Sequence, residues 1–171
     1  MTPPRAVDVA RWLWIASALL SAVRTYLVLA DRQGLRDQVT SVEPTLPMQQ
    51  VEAVVNGEII LAVLIAVGIV GLYVLVANKM VAGRAWARVL LTFFGVIFVL
   101  LGGLGMVGVA DGLAATQGLS VDPAEVALSA VGLVVEVIAL AAMWLPSSNT
   151  YFRATAAQFA LPPPRQDQFP R

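Results

Sequence analysis

The sequence predicts an all-α integral membrane protein, an antiparallel four-helix bundle with both termini in the cytoplasm. Three observations carry that expectation. The 171-residue chain is 58% hydrophobic and only 13% charged, with a mean hydropathy of +0.79, far too apolar for an ordinary soluble domain. Four apolar runs, at residues 12–30, 59–77, 89–110 and 126–145, approach the roughly 20 residues that cross a hydrocarbon core of about 30 Å. Basic residues favour alternate ends of those runs. Arg5 and Arg11 precede the first, Lys79, Arg84 and Arg88 lie between the second and third, and Arg153, Arg165 and Arg171 follow the fourth; the first and third connections hold only Arg32 and Arg36, and none. Basic segments near span ends tend to stay in the cytoplasm, which places both termini there.

Composition also excludes whole classes of chemistry. The formal net charge is zero and no basic patch interleaves with aromatic residues, so no nucleic-acid partner is expected. Cysteine and histidine are absent. That removes disulfides, thiolate nucleophiles, imidazole bases and the usual ligands of zinc, copper or haem, and no metal or cofactor is expected. Arginine far outnumbers lysine, and Ala, Val, Leu and Gly dominate, a composition that points to a GC-rich coding genome such as an actinobacterium's.

Residues 1–10, with Pro3 and Pro4, read as a short N-terminal arm, and residues 11–146 as the membrane bundle. The first span lies near 11–30, with Trp12 and Trp14 at the headgroup level that amphipathic rings favour. Ser17, Ser21 and Arg24 recur at helical intervals beside Ala18 and Ala22, a small, polar face that should turn toward other helices. Arg5 and Arg11 before an apolar run, with Val28-Leu29-Ala30 as a cleavage-like site, give a secretory-signal alternative. Arg24 interrupts the run where a signal is most apolar, so an uncleaved anchor is the expectation.

Residues 31–46, with Gly34 and Pro44 among mixed charges, read as an outer surface loop. Met48, Val51, Val54, Val55 and Glu58 then follow a helical period. The helix of the second span, near 55–78, is expected to begin close to Pro47, and a helix over 47–77 would be about 45 Å long, more than one hydrocarbon core needs. Glu58 falls at the outer end of the span and reads as interfacial.

Gly83 punctuates the inner turn, and Trp86 between Arg84 and Arg88 suits a surface where guanidinium groups and an indole meet lipid headgroups. The third span, near 87–110, carries Gly95, Gly102, Gly103, Gly105 and Gly108. In lipid such glycines let neighbouring backbones approach, which marks Gly95, Gly102, Gly105 and Gly108 as helix-packing positions. No strand precedes them and no Gly-Lys-Ser/Thr follows, so they are no nucleotide loop.

Before the fourth span, near 124–145, Asp122 can cap, Pro123 fits the first helical position and Glu125 can reach back. Asp111, Asp122 and Glu125 give the outer face negative character, for which a capped helix start is a better account than a cation site. Ser129, Gly132, Glu136 and Ala139 form an inward stripe, and Pro146 should end the span just past Trp144. Residues 147–160, with Phe152, Ala156 and Phe159 at helical spacing, read as an interfacial helix, and the Pro-rich residues 161–171 as an extended tail.

Two segments, Gly83-Arg84-Ala85-Trp86-Ala87-Arg88 and Pro146-Ser147-Ser148-Asn149-Thr150-Tyr151-Phe152, resemble those of small four-span membrane proteins of actinobacteria. The resemblance covers residues 11–152. It implies four spans and a place in the bacterial envelope, for which the inner membrane is the expectation, and brings no catalytic residue.

Arg24 and Glu136 stand out, because a charge at mid-bilayer costs roughly 2.5–3.5 kcal/mol on insertion scales. An intramembrane ion pair between them is the expectation, with the hydroxyls of Ser17, Ser21 and Ser129 in support. As a register device it would hold the first and fourth spans in one alignment, since slipped arrangements leave a charge unpaired. As a functional site Glu136 would be protonatable or bind an ion. In a third reading either charge meets a partner protein or lipid. No nucleophile with a base and no second carboxylate beside Glu136 appears in the spans, so no enzyme is expected. The sequence therefore points to a non-enzymatic membrane subunit or adaptor, with lipid and either a protein partner or a second copy as its contacts. The alternative is a small ion- or proton-coupled transporter or channel with Glu136 as its titrating group. No small-molecule substrate is identified by either pattern.

Overall fold

A computed structural model of the chain describes residues 2–110, 112 and 123–160, with Phe159 and Ala160 described by their backbone alone. All regular structure among the described residues is helical: α1 (Arg5–Ala30), α2 (Arg32–Val42), α3 (Met48–Val81), α4 (Ala85–Ala110), α5 (Pro123–Met143) and α6 (Pro146–Ala160). Four of these, α1, α3, α4 and α5, are long and apolar enough to cross a membrane. The 34 residues of α3 reach about 51 Å, well beyond one hydrocarbon core. The capping role of Asp122, the charge of Asp111, the side chain of Phe159 and the tail at 161–171 lie outside the described residues.

The four long helices close a ring in which α1 and α4 each pack against both α3 and α5. Its main core lies where α1 begins, α3 ends, α4 begins and α5 ends, and α6 adds Phe152 to it. Trp14, Met80 and Met143 are its largest fully buried side chains. Trp14 is therefore turned in among the helices, while Trp12 remains 58% exposed. The helical period decides between them: Val7, Ala10, Trp14 and Ser17, at intervals of three and four, form the buried face of α1, and Trp12 falls two residues off it.

Residues 31–46, which composition reads as a loop, hold the helix α2. Asp31 caps it by accepting a hydrogen bond from the Gly34 N–H at 3.0 Å. Leu35 packs into a small second core with Val51 and Val55 of α3, joined by Val39. Arg36 Nε lies 2.6 Å from Glu52 Oε1, and Arg32 donates to Asn56 Oδ1. The first turns of α3 thus carry a short helix strapped along them. Leu35, buried, and Val39, partly buried, are the only apolar residues that α2 turns to this core, which is why mixed charge and Gly34 obscure it.

The α3–α4 turn has a Schellman form. The Gly83 N–H donates to the Met80 carbonyl at 2.9 Å and the Arg84 N–H to the Lys79 carbonyl at 3.2 Å, with Gly83 at φ +78°. A Cβ on Gly83 would also run into the Thr155 side chain of α6. Gly83→Ala should therefore cost about 1–2 kcal/mol for the left-handed backbone and a further ~1–3 kcal/mol for crowding. In a Thr155→Ala background only the crowding part should shrink. Thermal unfolding of the four proteins in mild detergent reads that coupling directly, and purely additive effects would remove the Gly83–Thr155 contact from the account.

The α5–α6 corner satisfies its own carbonyls, as a buried helix end must. Ser148 Oγ donates to the Ala142 carbonyl at 2.9 Å and Asn149 Nδ2 to the Trp144 carbonyl at 3.1 Å. Pro146 opens α6 as well as ending the span before it, consistent with the missing N–H of a first helical residue.

Candidate functional site

Contacts between α1 and α5 fall in opposite numerical order along the two helices. Trp14 Nε1 donates to Met143 Sδ at 3.4 Å, Ser17 Oγ donates to Glu136 Oε1 at 2.9 Å, and Arg24 donates to Glu125 Oε1 from Nη2 at 2.8 Å and from Nε at 3.1 Å. Arg24 therefore pairs with Glu125, and the ion pair expected between Arg24 and Glu136 is not formed. The reason is depth. Ser17 marks the Glu136 level on α1, and seven further residues carry Arg24 about 10 Å along the axis, toward the first turn of α5 where Glu125 stands. A long cationic side chain near a helix end extends toward water, away from the middle of the span. Glu125 is favoured there as an anion at a helix N-terminus.

Between these two levels α1, α4 and α5 line a half-open cavity of about 510 Å³. Glu136 and Ser17 mark one end of it and Arg24 with Glu125 the other. Ser21, Ser129 and Gly132 lie on its walls, with Phe98, Leu101, Met106 and Leu133 as apolar lining. The three serines, Arg24 and Glu136, grouped already by the sequence, and Gly102 and Gly105, singled out apart from them, thus share one chamber. Among the described residues no group of three or more carboxylates is assembled that could hold a metal ion. Past Ser17 and Glu136 lies the Trp14–Met143 core.

The glycines of α4 divide into two sets. Gly95 is buried under Trp14 and Leu140, where any Cβ would meet the indole, and Gly102 lies where a Cβ would stand 3.3 Å from Leu133. Gly105 and Gly108 face open space, with nothing within 4 Å of a Cβ. So Gly95 and Gly102 pack within the chain, and the other two do not.

Arg84, Trp86 and Arg88 also separate. Trp86 is 51% exposed and Arg84 is exposed, but Arg88 is only 8% exposed. Its guanidinium lies 3.8 Å from the centre of the Trp144 ring and 5.0 Å from that of Phe152, and Nη2 donates to Asn149 Oδ1. The assignment of Arg88 to lipid headgroups is corrected accordingly: it shares the buried face of α4 with Ala87, Leu91 and Gly95. Trp144 Nε1 donates to Thr92 Oγ1 at 3.2 Å, and Tyr151 OH donates to the Val81 carbonyl at 2.7 Å. The two segments that carry the sequence resemblance are therefore parts of one clamp joining α3, α4, α5 and α6.

Sequence reasoning overlooks Glu125 as the partner of Arg24 and Asn149 as that of Arg88. The first has a readable signal, because Arg24 lies six residues before the end of α1 and Glu125 two after the start of α5. The second has none in the local pattern.

Fold and site define a multi-pass membrane protein with a mainly apolar chamber that carries a few polar groups among its helices. Compared with protein-family models, with curated proteins and with solved structures, the chain finds no match.

Proposed function

We propose that the chain is a non-enzymatic subunit or adaptor of a bacterial inner membrane, in which four antiparallel spans present packing surfaces to a second copy or to another envelope protein. Both termini face the cytoplasm in this reading. The opposed order of the α1–α5 contacts and the bias of basic residues support that arrangement, and the resemblance to small actinobacterial four-span proteins supports the placement.

One observation carries the assembly. Gly57, Gly68 and Gly71 of α3 and Gly103 and Gly108 of α4 have nothing within 4 Å of where a Cβ would stand. A mid-helix glycine costs about 1 kcal/mol relative to alanine. Close approach of another helix offsets that cost in lipid, where small residues are the usual contact. A solitary chain gains nothing from these positions.

Gly68→Leu and Gly108→Leu have room within the chain, so folding should persist while assembly is lost. Native mass spectrometry from mild detergent should find an oligomer or a stoichiometric complex for the wild type and the lone chain for the double variant. A wild type that is already a lone chain without a copurifying partner would overturn the reading.

A second reading, an ion- or proton-coupled transporter or channel, is favoured by Glu136, whose carboxylate borders the chamber without a basic side chain on it. Against it, the packed Trp14–Met143 core lies between the same helices past Ser17 and Glu136, so a route through one chain needs that core to open. Ion flux into proteoliposomes that Glu136→Gln abolishes would support it, and no flux from the wild type would remove it.

A further inference from the structure

We propose that the chamber between α1, α4 and α5 is a binding site for a lipophilic organic monocation, whose charge pairs with Glu136 and whose apolar body fills the space toward Phe98, Met106 and Leu133. This goes beyond the assembly role, and neither depends on the other.

Charge selects the sign of the ligand. Among the described residues three ionisable side chains line the chamber, and two of them, Arg24 and Glu125, neutralise each other at one end. Glu136 leaves a single negative charge. Its carboxylate takes one hydrogen bond, from Ser17, and the remaining acceptor sites of the group are open to a cation. An anion finds no unengaged base in the lining, and a zwitterionic lipid finds none for its phosphate.

Size and lining select the rest. A volume of about 510 Å³ falls in the range of small-molecule sites, roughly 300–1,000 Å³, which are mainly apolar with a few placed polar groups. A bare alkali or alkaline-earth ion takes several oxygens in a tight shell, whereas two carboxylates, one of them held by Arg24, and three hydroxyls around this space leave most of it unfilled. Gly105 supplies the room, because no atom lies within 4 Å of its Cβ position and it borders the chamber. Phe98 places an aromatic ring on the lining, a group of the kind that attracts organic cations.

The test uses the full chain in mild detergent with tetraphenylphosphonium as probe and equilibrium dialysis as readout. Saturable binding at one site per chain is expected. Tetraphenylborate, of the same shape and opposite charge, should fail to compete. Glu136→Gln should weaken binding at least tenfold, and Gly105→Leu should do the same with the carboxylate intact by filling the chamber. Glu58→Gln, which removes an exposed carboxylate on α3, should leave the affinity unchanged. Should Glu136→Gln fail to fold, the Gly105 variant and the borate comparison still decide. The proposal is overturned if the wild type shows no saturable site, if the borate competes equally, or if Gly105→Leu binds as the wild type does. Loss of assembly in the Gly68 and Gly108 variants is read separately, so failure of one proposal leaves the other standing.

Discussion

Gly95→Ala is expected to destabilise the bundle by about 1–3 kcal/mol, the usual cost of forcing extra atoms into a filled core, and that loss should largely vanish in a Trp14→Phe background. The first methyl carbon at position 95 would collide with the outer edge of the Trp14 six-membered ring and crowd Leu140. Trp14 has little freedom to retreat. It is fully buried, its indole N–H is held by Met143 Sδ, and its ring lies 5.8 Å from that of Tyr73. Phenylalanine lacks the atoms that meet position 95, so the two substitutions should be strongly coupled. Trp14→Phe alone leaves a void and loses the sulfur contact, a deficit the added methyl should partly fill. Unfolding midpoints of the four proteins in mild detergent measure the coupling directly. Additive effects would show that Gly95 is not the seat of the indole. Because lipid is as apolar as the core, the loss comes from packing more than from hydration.

That seat shows where a sequence is legible in a membrane protein and where it is not. Span existence is legible because it depends on summed hydropathy, and the four candidate spans follow from it. The direction a side chain faces around a helix is harder, because in lipid both faces are apolar and the contrast between core and surface is weak. Trp12 and Trp14 are alike in composition, yet one is exposed and the other buried, and only the spacing of Val7, Ala10, Trp14 and Ser17 separates them. Gathering Ser17, Ser21, Ser129 and Glu136 into one place is readable by the same rule, since polar groups turn away from lipid. The partner of Arg24 is not readable from polarity alone. It depends on relative depth along α1 and α5, and an offset of two helical turns is enough to exchange Glu136 for Glu125. For α2 the limit is length, since eleven residues give a periodicity too short to stand out against their charges.

Arg88→Ala is expected to loosen α6, at a cost of about 2–3 kcal/mol, and Arg88→Lys should recover only a small part of it. The sum is built from two ring faces, at roughly 0.5–1 kcal/mol each where exposed and up to about 2 where desolvated, and a charge-assisted hydrogen bond of about 1.5–3 kcal/mol, less the cost of keeping a cation out of water. The rings and amide around Arg88 are neutral, so its stacking geometry matters more than its formal charge. A planar guanidinium can lie against Trp144 and Phe152 while donating sideways to Asn149. A lysine ammonium offers a point charge that does not stack. The clamp is one of the few contacts that secure α6, beside the Tyr151–Val81 hydrogen bond and the Ser148 corner. Arg153, exposed on α6, therefore provides a reporter: trypsin should cut there faster in Arg88→Ala than in the wild type, and nearly as fast in Arg88→Lys. Phe152→Ala should raise the cleavage rate too and add little to Arg88→Ala, because both remove the same contact. If Arg88→Lys protects Arg153 as well as arginine does, charge and not stacking holds α6. If none of these variants changes the rate, α6 is secured by Tyr151 and the Ser148 corner instead.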